Sequence, residues 1–288
     1  MERTTIDTNG PVSFLDHGGS GKLIVCVHGL EGSAYNWNLI APELAETHRV
    51  VAPDLSGFGY TPPGERGSTV EANTEVVAAV IREYGDEALL IGNSMGGLIS
   101  MITAVEHANH VDRLVLINPA LPVSRRRPPD LEVLTKLIGP LVPGIGVPAF
   151  RVYRAAHSPE EETTETLRMI TADAETVPDW AKERLTETNR LRRDRAWAIP
   201  AFLEADRSIA RYVLRPRRFA RLIHRIGAPT LLVHGSEDRL VSVDSARWAA
   251  QQRPDWTYVE MEGVGHVPML EAADEFAAVT TDWLASTS

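Results

Sequence analysis

Short, uninterrupted apolar runs alternate with segments of helical period along most of this 288-residue chain. Each run has the length and composition of a strand that is buried on both faces. The runs lie at 23–27, 50–52, 88–91, 114–117, 230–233 and 257–261, and the helical segments at 35–46, 70–84, 95–107, 245–252 and 272–285. Strands that alternate with helices imply right-handed crossovers. We therefore predict an α/β fold with a doubly wound, mostly parallel sheet.

Two further strand-like runs, 4–8 and 12–16, lie at the start of the chain on either side of Asn9 and Gly10. This dipeptide tolerates positive φ angles and commonly turns a hairpin. We expect the two runs to form an antiparallel edge of the sheet.

The alternation stops between residues 121 and 225, where helical pattern, prolines and arginines continue without a convincing strand. This stretch carries 20 basic and 14 acidic residues, whereas the whole chain carries 29 and 39. We call residues 121–225 the insertion. The sequence thus predicts a core of residues 1–120 and 226–288 that is interrupted by a helical insertion with enough apolar side chains to line a cavity.

The formal net charge of −10 argues against a general nucleic-acid-binding protein, because such proteins need basic surface. The one cysteine, Cys26, can form neither an internal disulfide nor a structural zinc site. No apolar stretch approaches the roughly 20 residues of a membrane span, and the first ten residues do not resemble a signal peptide. We expect a cytoplasmic protein with no integral membrane association.

One turn in the sequence has the pattern of a nucleophile site. Residues 92–97 (GNSMGG) connect the apolar run 88–91 to the helical segment 95–107. Small residues two positions before and two after Ser94 allow a sharp strand-to-helix turn, which would lift the serine hydroxyl above the sheet edge. We identify Ser94 as the candidate nucleophile; a helix cap or tight turn is the structural alternative.

A serine hydroxyl is a poor nucleophile until a base accepts its proton. His266 follows the run 257–261, so its loop would pass over Ser94 at the carboxyl edge of the sheet. It is the best placed of the nine histidines. A loop histidine without a special role is the alternative interpretation.

The base needs an acid that fixes its tautomer. Asp238 lies just beyond the run 230–233 and completes the chain order serine, acid, histidine, with Glu237 as the neighbouring alternative. A tetrahedral intermediate also needs two donors for its oxyanion. We expect these to be the backbone N–H groups of Leu30, in a glycine-rich loop, and of Met95, at the start of a helix. Within that loop, His28 is expected to stabilise the backbone.

With these motifs the chain resembles the α/β-hydrolase fold family over residues 20–120 and 226–286. The resemblance rests on His28 and Gly29 after the first central run, residues 54–59 (DLSGFG) after the next, the Ser94 turn, and the loops of Asp238 and His266. It implies that the insertion is a cap that forms much of the substrate pocket. It also implies a serine hydrolase that cleaves a small-molecule carboxylic ester through an acyl-enzyme on Ser94, with no metal or organic cofactor.

Ser94 argues against two related activities, epoxide hydrolysis and haloalkane dehalogenation, because both use an aspartate at this position. Hydroxynitrile lyases and cofactor-free haloperoxidases have a serine at this position, so the sequence does not exclude these two activities. The sequence around Ser94 is also similar to that of meta-cleavage-product hydrolases, which cleave carbon–carbon bonds of diketo acids and bind a carboxylate. This is the first alternative function, and a non-catalytic protein that binds a small ligand is the second.

Arginines are concentrated in two parts of the insertion, 125–127 and 190–195. They could attract an anionic substrate or contact a lipid surface. The simpler interpretation is a set of solvated helix faces with acidic residues nearby. Steering of an anionic substrate by these arginines is retained as a hypothesis.

Overall fold

The computed structural model describes residues 2–85, 87–124, 132–133, 135 and 146–287. In this part of the chain, eight strands form one sheet. The strands are β1 (Glu2–Asp7), β2 (Pro11–Gly18), β3 (Leu23–Val27), β4 (Arg49–Pro53), β5 (Ala88–Asn93), β6 (Val111–Ile117), β7 (Thr230–Gly235) and β8 (Thr257–Met261).

The strand order is β1-β2-β4-β3-β5-β6-β7-β8. Strands β4, β3, β5, β6, β7 and β8 are parallel to one another, whereas β2 pairs antiparallel with both β1 and β4. The predicted mostly parallel sheet and its antiparallel edge are therefore confirmed. Asn9 and Gly10 have φ angles of 64° and 114°, as the hairpin turn between β1 and β2 requires.

The described helices occupy both faces of the sheet and the stretch between β6 and β7. They are α1 (Ala41–Leu44), α2 (Val70–Tyr84), α3 (Met95–Glu106), α4 (Gly146–Ala156), α5 (Pro159–Ile170), α6 (Asp179–Arg193), α7 (Ala198–Val213), α8 (Pro216–Ile223), α9 (Val243–Gln252), α10 (Pro268–Glu271) and α11 (Ala273–Ser286).

Strand β3 illustrates why the central runs are apolar at every position. Leu23 and Val25 point to the core on one face of the sheet, whereas Ile24 and Cys26 point to the core on the other. Side chains alternate between faces along a strand, so a strand covered on both sides needs apolar residues throughout. Helices α2, α3, α8 and α9 cover the first face, and α1, α10 and α11 cover the second.

The single helix predicted over residues 35–46 is wrong. The structure has a 3₁₀ turn at Ala34–Trp37 and then only the four-residue helix α1, which has a proline in its first turn. Pro42 has no N–H to donate and fits only at the start of a helix, so the helical pattern could not continue through it. The predicted helix over 272–285 is found as α11, and the short helix α10 before it was not predicted.

The insertion lies between the adjacent strands β6 and β7, and its described residues form helices α4 to α8 and no strand. It is hydrogen-bonded to the core at several places. Ser68 Oγ donates to the Ala201 carbonyl oxygen at 2.9 Å, and Val70 N donates to Ser208 Oγ at 2.9 Å. Among the residues that the structure describes, none of the helices has the length and apolar composition needed to span a bilayer.

Every parallel strand ends at the same edge of the sheet, where the loops of the candidate site meet. Ser94 follows β5, Asn118 follows β6, Asp238 follows β7 and His266 follows β8. These four strands are consecutive neighbours in the sheet. The strand order therefore brings residues that are far apart in sequence together at one edge.

Candidate active site

Ser94 lies at the junction between β5 and α3 and has a backbone conformation that residues other than glycine rarely adopt. Its φ and ψ angles are 54° and −117°. The turn is held by the neighbouring chain, since Ser94 N donates to the Ile117 carbonyl oxygen at 3.0 Å and Ala120 N donates to the Ser94 carbonyl oxygen at 2.9 Å. Such locally strained backbone is concentrated at functional sites.

Glycines around Ser94 let three segments of backbone approach one another. A Cβ on Gly96 would lie 2.0 Å from the Val27 carbonyl oxygen, so no larger residue fits there without a shift of α3 or β3. A Cβ on Gly29 would lie 3.1 Å from the Ser94 Cβ. The glycine-rich loop after β3 is therefore packed directly against the candidate nucleophile.

The two backbone groups predicted to bind an oxyanion lie in the segments that flank Ser94. Met95 is the first residue of α3, where helix N–H groups have no intrahelical acceptor. Leu30 follows Gly29 in the loop after β3. In the described part of the chain, neither N–H donates to a protein group, so both are available to a ligand.

The structure brings His266 and Asp238 together. His266 Nδ1 lies 2.7 Å from Asp238 Oδ2, and both side chains are almost fully buried. Glu237, the alternative acid, is exposed, and its backbone N–H donates to the Val264 carbonyl oxygen. Of the two carboxylates, only Asp238 contacts the histidine.

Asp238 is held in place by hydrogen bonds to both of its carboxylate oxygens. Oδ1 accepts the backbone N–H groups of Leu240 at 2.8 Å and Val241 at 3.0 Å, and Oδ2 accepts the Asn118 side-chain amide at 2.7 Å. Burial acts to raise the pKa of the Asp238 carboxyl, but His266 with its hydrogen bond, His234 and the Val241 N–H together outweigh burial and hold that pKa below its ordinary value. Asp238 is therefore a carboxylate at neutral pH.

Asn118 is a site residue that the sequence analysis missed. Its amide nitrogen also donates to the Gly265 carbonyl oxygen at 3.2 Å, so this one side chain joins the Asp238 loop to the His266 loop. Asn118 is fully buried and has a φ angle of 41°. The signal that could have revealed it is its position, because it is the first residue after the strand next to β5.

The main chain of His266 is fixed from both sides. Its N–H donates to the Ile170 carbonyl oxygen of the insertion at 2.7 Å, and its carbonyl oxygen accepts the Asn93 side-chain amide at 3.0 Å. The preceding Gly265 N donates to Glu271 Oε1 at 2.6 Å. Asn93 immediately precedes Ser94, so its amide links the histidine loop directly to the nucleophile turn.

The Ser94 hydroxyl makes no hydrogen bond to any of the residues that the structure describes, including His266. Contacts between a nucleophile and its base are often longer in a free enzyme than in a substrate complex. Cys26 offers no second nucleophile, because burial inside β3 raises the pKa of its thiol.

His28 stabilises the loop after β3, as the sequence analysis expects. Its Nδ1 contacts the Gly29 carbonyl oxygen at 2.7 Å, and its Nε2 accepts the Leu55 N–H at 2.9 Å. Complete burial lowers the pKa of His28 to about 4, so the ring is neutral at neutral pH. With Nδ1 as the donor, one neutral tautomer satisfies both contacts and ties the loop after β3 to the loop after β4.

Only one of the two arginine-rich stretches of the insertion, 190–195, lies in the part of the chain that the structure describes. Residues 125–127 lie outside the described residues. On the surface of the insertion, Arg190 is paired with Glu160. Arg193 Nη2 lies 3.0 Å from Glu162 Oε1. Both of these guanidinium groups therefore have carboxylate partners within the insertion itself.

Arg192 is different, because its partner belongs to the loop beside the candidate nucleophile. Its Nη1 lies 3.5 Å from Glu31 Oε1, and the same oxygen accepts a hydrogen bond from Arg154 Nη2 at 3.2 Å. Arg195 is exposed. Two arginines of the insertion thus converge on the residue that follows Leu30.

Comparison with known proteins gives matches over nearly the whole chain. The family model described as alpha/beta hydrolase fold matches residues 22–273. The chain is 28% identical to 2-hydroxymuconate semialdehyde hydrolase of Pseudomonas sp. (strain CF600) over 286 residues, which covers 94% of this chain and 89% of that protein. It is 29% identical to a pimeloyl-[acyl-carrier protein] methyl ester esterase of Aromatoleum aromaticum over 265 residues, which covers 90% and 96%.

Among solved structures, a bacterial membrane phospholipase A superposes on 99% of this chain and 86% of its own, with a TM-score of 0.74 and 28% identity. The strand order, the turn at Ser94 and the matched range of residues agree with one another. This chain is a hydrolase that belongs to the α/β-hydrolase fold family.

Proposed function

We propose that this protein is a serine hydrolase that cleaves a carboxylic ester with a hydrophobic acyl or aromatic part. The observation that carries the proposal is the 2.7 Å hydrogen bond between His266 Nδ1 and Asp238 Oδ2, in a histidine loop that the amide of Asn93 joins to the nucleophile turn. A buried carboxylate that accepts from Nδ1 leaves Nε2 unprotonated and able to accept a proton. That tautomer is the one that a general base requires.

In the proposed reaction, His266 Nε2 removes the proton of the Ser94 hydroxyl as its oxygen attacks the ester carbonyl carbon. The tetrahedral intermediate collapses to an acyl-enzyme, and the histidine gives its proton to the leaving alcohol. His266 then removes a proton from water, which attacks the acyl-enzyme and releases the acid. Asp238 stays ionised throughout and stabilises the imidazolium.

The developing oxyanion would be bound by the N–H groups of Leu30 and Met95. Both belong to segments packed against Ser94, and both are free of other acceptors in the described residues. Donors that are already in position need no reorganisation during the reaction, and the loss of one such donor typically costs about 10²- to 10³-fold in kcat. The close packing of Gly29 against Ser94 supports this role for the loop.

Apolar side chains near this loop support a hydrophobic substrate. Phe150 and Phe202 of the insertion stack with ring centroids 5.7 Å apart. Arg154 lies over the Phe150 ring and also contacts Glu31, the residue after Leu30. The ester class is consistent with the relative named as a methyl ester esterase.

The test is covalent labelling followed by ester kinetics. Brief exposure to a fluorophosphonate should add one adduct to the intact wild-type protein and none to Ser94→Ala, whose folding is checked by circular dichroism. A series of p-nitrophenyl esters of increasing chain length should then show turnover that depends on Ser94. An adduct on folded Ser94→Ala would move the nucleophile elsewhere, and no adduct on the wild type would favour a ligand-binding protein.

Carbon–carbon bond hydrolysis is the second candidate, because the relatives include 2-hydroxymuconate semialdehyde hydrolase. A diketo acid would need a cation for its carboxylate, and the two described arginines that reach the loop after β3, Arg154 and Arg192, both contact Glu31. We therefore favour the ester. Turnover of a diketo acid that exceeds turnover of every ester would reverse this order.

A further inference from the structure

Glu31 has an unusual place in the loop beside the candidate nucleophile. It directly follows Leu30, and its φ angle of 60° is one that residues other than glycine rarely adopt. Its carboxylate oxygen Oε1 lies 3.2 Å from Arg154 Nη2 of α4 and 3.5 Å from Arg192 Nη1 of α6. One carboxylate from the core is therefore shared by two arginines of the insertion.

The two arginines are largely buried, with side chains that are 12% and 11% exposed. Arg192 Nε has no hydrogen-bond partner among the described residues, and Arg192 Nη1 has one other acceptor, Asn189 Oδ1 at 3.0 Å. Arg154 lies 4.0 Å from a second carboxylate, that of Glu162. Buried guanidinium groups bind carboxylates strongly, so without Glu31 this pair would be a site for an anion.

The pair contacts the loop that packs against the candidate nucleophile. Gly29, two residues before Glu31, packs against Ser94, where a Cβ on the glycine would be 3.1 Å from the serine Cβ. A second carboxyl group lies near Glu31 in α7, that of Asp206, which is 8% exposed and whose Oδ2 has no partner in the described part of the chain. Burial, with a contribution from Glu31, raises the pKa of Asp206 to about 7.

We propose that Glu31 is a specificity-determining residue, because its carboxylate occupies the Arg154–Arg192 pair where a substrate carboxylate would otherwise bind. The enzyme would then select uncharged esters over esters that carry a second, ionised carboxyl group. This inference rests on the proposed ester hydrolysis and adds the charge of the substrate to it. Asp206 reinforces the selection, since a second carboxyl near Glu31 also repels an anion when it is ionised.

The test compares two esters of equal chain length, p-nitrophenyl hexanoate and the mono-p-nitrophenyl ester of adipic acid. Wild-type enzyme should favour the uncharged hexanoate in kcat/KM by about tenfold or more. Glu31→Gln keeps the size of the side chain but frees the arginine pair. The ratio of kcat/KM for adipate to that for hexanoate should rise by about tenfold or more in this variant.

Two further variants show whether the arginines cause the change. Adding Arg192→Gln to Glu31→Gln should reverse the gain for the adipate ester. Glu160→Gln removes an exposed ion pair of the same insertion and is the matched control, so its ratio should equal that of the wild type. A ratio that stays at the wild-type value in folded Glu31→Gln would overturn the inference.

The wild-type arm decides the inference even where Glu31→Gln does not fold, as judged by its thermal transition. Equal kcat/KM for the two esters in the wild type would refute selection against the charged ester. A wild type that hydrolyses neither ester would instead count against the proposed function. Hydrolysis of hexanoate that depends on Ser94, with no discrimination against adipate, would leave the proposed function standing and remove only the role of Glu31.

Discussion

Asn118 Nδ2 donates to Asp238 Oδ2 at 2.7 Å, and the same carboxylate oxygen accepts from His266 Nδ1 at 2.7 Å. One oxygen thus serves two donors that approach from different strands. The Asn118 amide therefore fixes the position of Asp238 Oδ2, the oxygen to which the His266 imidazole is hydrogen-bonded. Asn118 is accordingly a positioning residue that acts on the candidate base through its acid.

We expect Asn118→Ala to lower kcat for a p-nitrophenyl ester by about 10²-fold, with little change in KM. The amide contacts Asp238 and Gly265, so its loss should disturb the alignment of His266 more than substrate binding. Asn118→Asp should lower kcat further, because two carboxyl groups at hydrogen-bond distance cannot both ionise. Steady-state kinetics of both variants measure this.

The exposed Asn109 offers a matched control for the added charge. Asn109→Asp should leave kcat and KM close to wild type. A wild-type kcat in Asn118→Ala, or a loss that lies wholly in KM, would show that Asn118 does not position the acid.

Asp238 and the neighbouring Glu237 provide an isosteric comparison. Asp238→Asn removes the acceptor for His266 Nδ1 and allows the wrong tautomer, so kcat should fall by about 10³- to 10⁴-fold. Glu237 is exposed, and Glu237→Gln should leave kcat nearly unchanged. Single-turnover labelling by a fluorophosphonate should slow in the same order. The reverse order would assign the acid to Glu237.

Gly96 tests the packing of α3 against β3. A Cβ at this position would meet the Val27 carbonyl oxygen at 2.0 Å, so Gly96→Ala should lower the free energy of unfolding by about 1–3 kcal/mol or more. Urea denaturation measures the change. Gly227, whose Cβ would meet nothing within 4 Å, is the control, and Gly227→Ala should be neutral or slightly stabilising. Equal effects of the two substitutions would contradict the close approach.

Asp206 predicts a dependence of stability on pH. Its pKa of about 7 in the folded protein is above the ordinary value of 3.8, so between these values the folded chain holds a proton that the unfolded chain has lost. The stability that comes from the neutral carboxyl is complete below about pH 4 and is lost as the pH rises to about 7. Asp206→Asn removes this titration.

The free energy of unfolding of Asp206→Asn minus that of the wild type should therefore be larger at pH 8 than at pH 5, by about 2 kcal/mol, because only the wild type loses stability over this range. Urea denaturation of both proteins at the two pH values measures the difference. Asp194→Asn, at an exposed position, should show the same difference from wild type at both values. A relative stability of Asp206→Asn that does not change with pH would disprove the prediction.

Much of the fold could be predicted because a strand that is covered on both faces needs a continuous apolar run, which is visible in the local sequence. The apolar runs coincide with strands β3 to β8, although β8 lies at the edge of the sheet and only its Met261 is buried; the turn dipeptide before β2 predicts the antiparallel edge. The prediction of one helix over 35–46 is wrong for a reason that is also local. Pro42 interrupts an otherwise helical pattern, because a proline fits only in the first turn of a helix. The crossover rule and the alternation of elements predict a mostly parallel sheet, whereas the order of its strands is seen only in the structure.

The amino-acid sequence by itself determined the sheet and drew attention to Ser94, Asp238 and His266, since each follows a recognisable strand in a short motif. Only the tertiary structure decided which groups surround them. Asn118 meets a residue 120 positions away, and Glu31 meets an arginine 123 positions away. No local pattern encodes such pairings, because they arise only when the sheet brings the ends of neighbouring strands to one edge and the insertion packs against the loop after β3.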